Sequence, residues 1–491
     1  MRRISFLLII SLLFSAIAFA GGSGTLNLLP FNEPPTKGAI EPKSPPVLEE
    51  SRQFWIWDLS VMPPTDTQIT AICKGIGSHA YIFVEDGRWG TDVTQTDVDA
   101  VLLAWDQQTP SGSYDSSKGI YDIETQIFGP APDVDGDPPI YLLYYEFGEY
   151  GSSSFDGFFR IQDEYPGEHS NQTELLHLNT KNYHPSNPYM LGVAAHEFNH
   201  MIHMMIHPDN DLWIQESLAE AAMVTCGYFT DTAWMNAYAN NPGVSLYGNT
   251  HSVNYGACFL FGAYFYEQAG PQGCWDLVHA TTVGTPSVEE ALVGNSDFTS
   301  FPQFMGDWSV ANYLDEPDNP DGPYGYDLID VPDMKIKQTY EDPLPLEITG
   351  VMTGGGVEYR KVMLEGGHST VEIELLGDMD SVILHAVFLG TEPAPVYELS
   401  DSQQIDLQEE SNALVLSAAA FGEGDSYSYT ASLSYQDAED DDAVDDDSGA
   451  VDDDMADDDS AAYDDDSAND DDDQTPTGDD DDSGGKSGCG C

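Results

Sequence analysis

The sequence predicts an α+β domain followed by a small all-β domain and an unstructured acidic tail. Three observations carry this prediction. Strand-like apolar runs mix with helical stretches over the first two thirds of the chain; after Pro345 only short β-rich runs separated by Gly, Asp and Ser turns remain; and from Asp437 onward Asp dominates, with Ser, Ala and Gly. A length of 491 residues suits two or three domains, and 41% apolar residues suffice for a real core.

Taken in order, Arg2 and Arg3 precede an apolar run from Ile4 to Phe19 and the small-residue site Ala18-Phe19-Ala20. Residues 1–20 therefore read as a cleaved export signal, the run being shorter than the roughly 20 residues of a spanning helix. No other segment is long and apolar enough to span a membrane, so a transmembrane protein is not expected. Export permits disulfides at Cys73, Cys226, Cys258 and Cys274 without choosing their pairing. Residues 21–50, rich in Gly, Pro and Ser, read as a linker or pro-segment.

The first domain is assigned to residues 51–340. Ala80–Val84 and Ile140–Tyr145 read as strands, and Thr96-Asp97-Val98-Asp99 as a capping box opening a helix through Trp105. Glu174–Asn179 reads as a short strand before a long helix, Tyr189 to His207, which Pro208-Asp209-Asn210 ends. That strand is either a site of strand addition for an extended substrate or an ordinary edge strand. Further helices are expected at about Leu212–Gly227 and Val253–Gln268. Residues 345–436 form the predicted β-sandwich, with runs at Val357–Leu364, Thr370–Leu376, Ser381–Leu389 and Ala413–Ala420. Residues 437–491 are too charged to bury anything and are expected to be disordered.

Charge narrows the partners. The chain holds 86 acidic against 15 basic residues, a formal net charge of −71. The tail holds 25 of those acids and one lysine, so the body is acidic as well. Nothing is left to neutralise phosphates, which argues against nucleic acid and anionic membrane surfaces. Self-repulsion favours a soluble monomer.

Within the long helix lies His196-Glu197-Phe198-Asn199-His200. Two imidazoles four residues apart share a helical face and reach one zinc ion, and the glutamate projects beside the open coordination position. The flanking residues Leu191, Val193, Ala194, Ala195, Phe198, Met201, Ile202, Met204 and Met205 make this helix apolar nearly all round, hence buried. Buried histidines and a glutamate are costly unless paired or metal-bound. The longer pattern HExxHxxGxxH fails, because His203 stands at its glycine and Ile206 at its last histidine. Glu216, in Trp213-Ile214-Gln215-Glu216-Ser217-Leu218-Ala219 on the next helix, is the preferred third ligand, with Glu220 one turn on as the alternative. His203 and His207 lie too far along the helix to join the same ion and read as packing residues.

These residues resemble the glutamate-zincins, and more narrowly the hyicolysin-like secreted neutral metalloproteases. The resemblance covers roughly residues 55–330: Phe128-Gly129-Pro130 leading to Asp133-Val134-Asp135-Gly136-Asp137, then the two zinc motifs, then Trp308 and Ala311-Asn312. It implies a zincin-like catalytic domain in which His196, His200 and Glu216 hold Zn2+ and Glu197 is the base. Ser217 stands where the family usually has Gly, and Asn199 where it has Gln.

The expected reaction is hydrolysis of protein or peptide substrates by a zinc-activated water, outside a bacterial cell or on its surface. Tyr255, in His251-Ser252-Val253-Asn254-Tyr255, is the preferred donor to the oxyanion, against a reading as a core aromatic. Asp133, Asp135 and Asp137 suggest Ca2+, although Pro138 and Tyr144 break the EF-hand pattern and a plain acidic turn is the alternative. The terminal Ser487-Gly488-Cys489-Gly490-Cys491 resembles the Gly-Cys element of C-terminal surface-sorting tails in some bacteria and suggests attachment. Two rival readings stand beside the enzyme: a non-catalytic surface adhesin with a vestigial zincin domain, and an acidic calcium-binding envelope protein.

Overall fold

The computed structural model describes residues 23–28, 38–150, 154–229, 233–248, 252–377, 379–424 and 426–436, all within one unit. The predicted signal at 1–20, the acidic tail at 437–491 and its terminal cysteines lie outside the described residues.

A single helical turn, α1 (Thr25–Leu28), is followed by β1 (Ser51–Asp58), β2 (Thr65–Ile76), β3 (Ala80–Glu85), α2 (Gln95–Asp106), α3 (Ile120–Ile127), β4 (Ile140–Tyr145), β5 (Gly157–Phe159) and β6 (Leu175–Asn179). The strands form one mixed sheet in the order β1-β2-β3-β4-β6-β5, parallel at β3-β4 and β4-β6. Both faces of its centre are covered. Ala80, Ile82, Val84, Ile140, Leu142 and Tyr144 face the helices, while Tyr81, Phe83, Tyr141, Leu143 and Tyr145 join Phe54, Phe158 and Leu28 in a second core. Burial on both faces explains why these strands read as continuous apolar runs. The strand before the long helix, β6, is interior, so neither the strand-addition nor the edge-strand expectation holds for it; β5 is the edge.

The helices then follow: α4 (Pro188–Ile206), α5 (Leu212–Thr225), α6 (Ala233–Ala239), α7 (Ser252–Val278), α8 (Thr285–Asn295) and α9 (Phe301–Leu314). Asn187 caps α4 by accepting from the Tyr189 N–H, with Pro188 at the first helical position. The capping box of α2 is Thr94 with Asp97, two residues before the predicted one. Helix α7 runs past Gln268 but breaks at Gly270, whose φ of 66° and following Pro271 divide it into two pieces. Packing of α5 on α7 depends on Gly262, where a Cβ would lie 1.9 Å from the Ser217 carbonyl oxygen.

The C-terminal β region comprises β7 (Gln338–Tyr340), β8 (Leu346–Met352), β9 (Val357–Met363), β10 (Thr370–Leu375), β11 (Val382–Leu389), β12 (Val396–Leu399), β13 (Ser402–Asp406), β14 (Ala413–Ala420) and β15 (Tyr427–Gln436). Two sheets, β13-β10-β15-β8 and β12-β11-β14-β9-β7, enclose a core that includes Ile348, Val371, Leu384, Leu414, Leu416 and Leu433. All of β14 is buried, because Val415 and Ala419 on its other face belong to the helical core. There the Tyr359 hydroxyl donates to the Ser309 carbonyl at 2.7 Å, and the Ser309 and Ser417 hydroxyls meet at 2.8 Å. The β region and α9 thus share one interior. Cys73, Cys226, Cys258 and Cys274 are buried free thiols, so the permitted disulfides are not formed.

Because Gly262 meets backbone rather than a yielding side chain, Gly262→Ala should lower stability by about 1–3 kcal/mol. Gly294→Ala in α8, where a Cβ meets nothing within 4 Å, should be neutral or stabilising. Thermal unfolding of the two variants checks the contrast.

Candidate metal centre

Helices α4 and α5 pack against each other across the short connection His207–Asp211, and this contact brings three polar side chains together. His196 and His200 present their Nε2 atoms 3.1 Å apart. Glu216 places Oε1 3.2 Å from His200 Nε2 and Oε2 3.5 Å from His196 Nε2. The three side chains are buried, and their donor atoms lie within 4.8 Å of one another. At metal–ligand distances of about 2.0–2.1 Å, tetrahedral coordination separates neighbouring donors by about 3.3 Å. Neither Glu216 oxygen has an aligned hydrogen-bond donor, although both face imidazole nitrogens at ion-pair distance. Such orphaned, converging atoms are what a cation between them would satisfy. The group can hold a metal ion.

The surrounding charges support this. Burial alone would raise the Glu216 carboxyl, but His200 and His196 outweigh it and hold the group down at about 2. Burial likewise works against the His196 imidazolium, yet Glu216, Glu220 and Glu197 lift it to about 9. Three carboxylates around two imidazoles leave negative charge that a cation would balance. Glu220 Oε1 lies 3.7 Å from His196 Nδ1, on the side of the ring away from the convergent atoms. Glu216 therefore completes the donor set, and Glu220 stands at ion-pair distance behind the His196 ring.

Glu197 and Tyr255 line one cleft with His196 and Glu220. Glu197 Oε2 accepts from the Thr25 hydroxyl at 2.6 Å, and the Tyr255 hydroxyl donates to the Ser23 carbonyl at 3.3 Å. Strand β5 lies directly against Glu197, since a Cβ on Gly157 would meet Val193 at 2.6 Å and Glu197 Cγ at 3.0 Å. His203 is buried with neither ring nitrogen hydrogen-bonded; burial, with His207, His200 and His279, keeps it neutral, at about 3. His203 and His207 stand outside the donor set. Ser23, Thr25 and Gly157 were not legible as site residues. Ser23 and Thr25 fall in a segment that reads as a linker or pro-segment, and Gly157 opens a three-residue strand too short to show a period.

The acidic run after Phe128 is a turn held by its own hydrogen bonds. Asp135 accepts from the Asp137 N–H at 3.0 Å and the Thr173 hydroxyl at 2.7 Å, and Asp137 from the Tyr81 hydroxyl at 3.0 Å. Asp133 is exposed, and among the described residues these carboxylates form no convergent donor group. Beside them Glu174 accepts from the Val134 N–H, and burial, with Asp135 and Asp133, pushes its carboxyl up to about 7.

No protein-family model matches the chain, and no curated protein matches it. Among solved structures, the periplasmic inhibitor of g-type lysozyme from Aeromonas hydrophila is 13% identical, covers 20% of this chain and 96% of its own, and has a TM-score of 0.17. The Salmonella Typhimurium inhibitor is 12% identical over 20% of this chain and 99% of its own, again at 0.17. The pre-peptidase C-terminal domain of a Bacillus anthracis collagenase is 11% identical over 21% and 99%, also at 0.17. Likeness of this extent bears on neither fold nor function. Among the described residues, no helix is long and apolar enough to cross a membrane.

Two outcomes are expected. Co2+ should bind one ion per chain with a four-coordinate absorption band; Glu216→Gln should abolish that band, whereas Glu220→Gln should keep it and weaken binding about 10–100-fold in competition with a chelator. A carboxyl raised on folding holds a proton that the unfolded chain releases. Its stabilisation is full below the ordinary value of 4.5 and fades as pH rises to about 7. Denaturation midpoints across that window should fall less steeply in Glu174→Gln than in the parent.

Proposed function

We propose that this protein is an exported or cell-surface zinc-dependent endopeptidase with a zincin-like catalytic domain. The observation that carries the reading is the convergence of His196, His200 and Glu216 with the Glu197 carboxylate in the adjoining cleft. The similarity of both motifs to the hyicolysin-like metalloproteases supports it. Two imidazoles and one carboxylate without sulfur, at tetrahedral spacing, form the donor set of catalytic zinc sites.

Zinc bound there supplies Lewis-acid polarisation of a peptide carbonyl and a water acidified toward neutral pH. The chain's own residues do the rest. Glu197 takes the proton from the attacking water on a carboxylate oxygen and delivers it to the leaving amine nitrogen. Tyr255, whose hydroxyl already donates to a peptide carbonyl, donates to the carbonyl oxygen as charge develops on it. Glu220 fixes the His196 ring through Nδ1. The position of the site beside the edge strand β5 suits a polypeptide that runs past it, hence internal cleavage of protein or peptide substrates.

Purified protein holding one zinc per chain should cleave unfolded casein, and Glu197→Gln should lower the rate by at least about 100-fold while retaining the zinc. Equal rates in the two zinc-loaded proteins, with Ser23–Leu28 in place and again after that segment is removed from Glu197 and Tyr255, overturn the reading and favour a binding protein with a vestigial centre.

A further inference from the structure

One tripeptide near the N-terminus engages both groups to which the protease reading assigns proton transfer and carbonyl polarisation. The Thr25 hydroxyl donates to Glu197 Oε2 at 2.6 Å and accepts from the Phe159 N–H at 2.8 Å, so its one proton is committed to the base. Two residues earlier, the Ser23 carbonyl receives the Tyr255 hydroxyl. Between them the Gly24 N–H donates to the Gly157 carbonyl at 2.7 Å, and Ser23 bridges Gly157 in the parallel sense. The segment makes an isolated parallel bridge on β5, the edge strand of the sheet.

Side chains hold it as firmly as the main chain. Thr25 and Leu28 are fully buried, Leu28 among Trp57, Phe155 and Phe158. Gly24 is the residue that fits, because a Cβ there would lie 2.9 Å from the Phe155 ring. After Thr25 the chain coils into α1, with the Leu28 N–H donating to the Gly24 carbonyl, and so leaves the edge after a few residues.

We propose that the edge of β5 is the docking strip for the main chain of an extended polypeptide substrate, and that Ser23–Leu28 occupies it as an internal plug that keeps the centre latent. The proposal rests on the protease reading for the word latent, but not for the occupancy. A substrate must displace Gly24 from Gly157, Ser23 from Tyr255 and Thr25 from Glu197 before its own carbonyl reaches the centre. Apparent affinity for any extended ligand is then reduced by the fraction of molecules in which the plug is out.

The test uses the full mature chain with a site for a specific protease replacing residues 31–36, loaded with zinc, before and after cutting. Binding of a fluorescent peptide hydroxamate is read by anisotropy, release of the N-terminal fragment by mass, and casein cleavage in parallel. Cutting should release the fragment and tighten hydroxamate binding at least about tenfold, and uncut Thr25→Val, which removes both hydroxyl contacts, should move part of the way. Unchanged hydroxamate affinity after release of the fragment overturns the plug, even if casein is cleaved. Tightened binding with no casein cleavage before or after cutting upholds the plug and overturns the protease reading. A cut protein that loses its cooperative thermal transition shows the segment to be a permanent strap, and the proposal falls.

Discussion

The structure depends on one costly arrangement: two histidines and a glutamate brought face to face inside a buried pair of helices. His196, His200 and Glu216 are buried, and they share their two helices with further buried polar groups, Glu197, Asn199 and His203 on α4 and Gln215, Ser217 and Glu220 on α5. Withdrawing such groups from water costs several kcal/mol unless each finds a compensating charge. They partly compensate one another, which is why Glu216 stays ionised although buried. The surplus of carboxylates around them leaves a place for a cation. The apolar faces of α4 and α5 are therefore the means by which the polar atoms are aimed.

That aim is enforced from outside the pair. Helix α5 is fixed on its other side by the approach of α7 at Gly262, and α9 ties the helical layer to the C-terminal sheets through Tyr359, Ser309 and Ser417. The β region is consequently part of the body that holds the centre rigid. Its strand β14 is built of Ala, Leu, Val and Ser because it is covered on both faces, and larger side chains would part the sheet from α9.

Sequence reading succeeded where a short-range period governs the outcome. The spacing of His196 and His200 fixes their shared face whatever the rest of the fold does, and Ile140–Tyr145 is long and apolar enough to demand a central strand. It failed where two local solutions compete or where the partner is remote. Thr94-x-x-Asp97 and Thr96-x-x-Asp99 both spell a capping box. Only the first forms, because Asp99 instead accepts from Gln95. The strand at Leu175–Asn179 gave no sign that three residues at Gly157–Phe159 would cover its free side. A segment of Gly, Ser and Thr has no periodicity of its own, so its seat over Glu197 is set by remote partners: β5, the ring of Phe155, the Tyr255 hydroxyl and Glu197 itself.

The same division of labour bears on what metal removal does to the molecule. An ion that binds only the native state adds stability in proportion to the logarithm of its concentration over Kd. Here, however, the helices that present the ligands are held by apolar contacts that need no ion. A preformed site of this kind keeps its fold whether or not it holds an ion, unlike small metal domains whose folding energy is the metal's binding energy. The apolar walls carry the architecture, and the charge deficit they enclose carries the affinity. Glu220, 3.7 Å from the far nitrogen of His196 and part of the cleft lining, adds to that charge without entering the donor set.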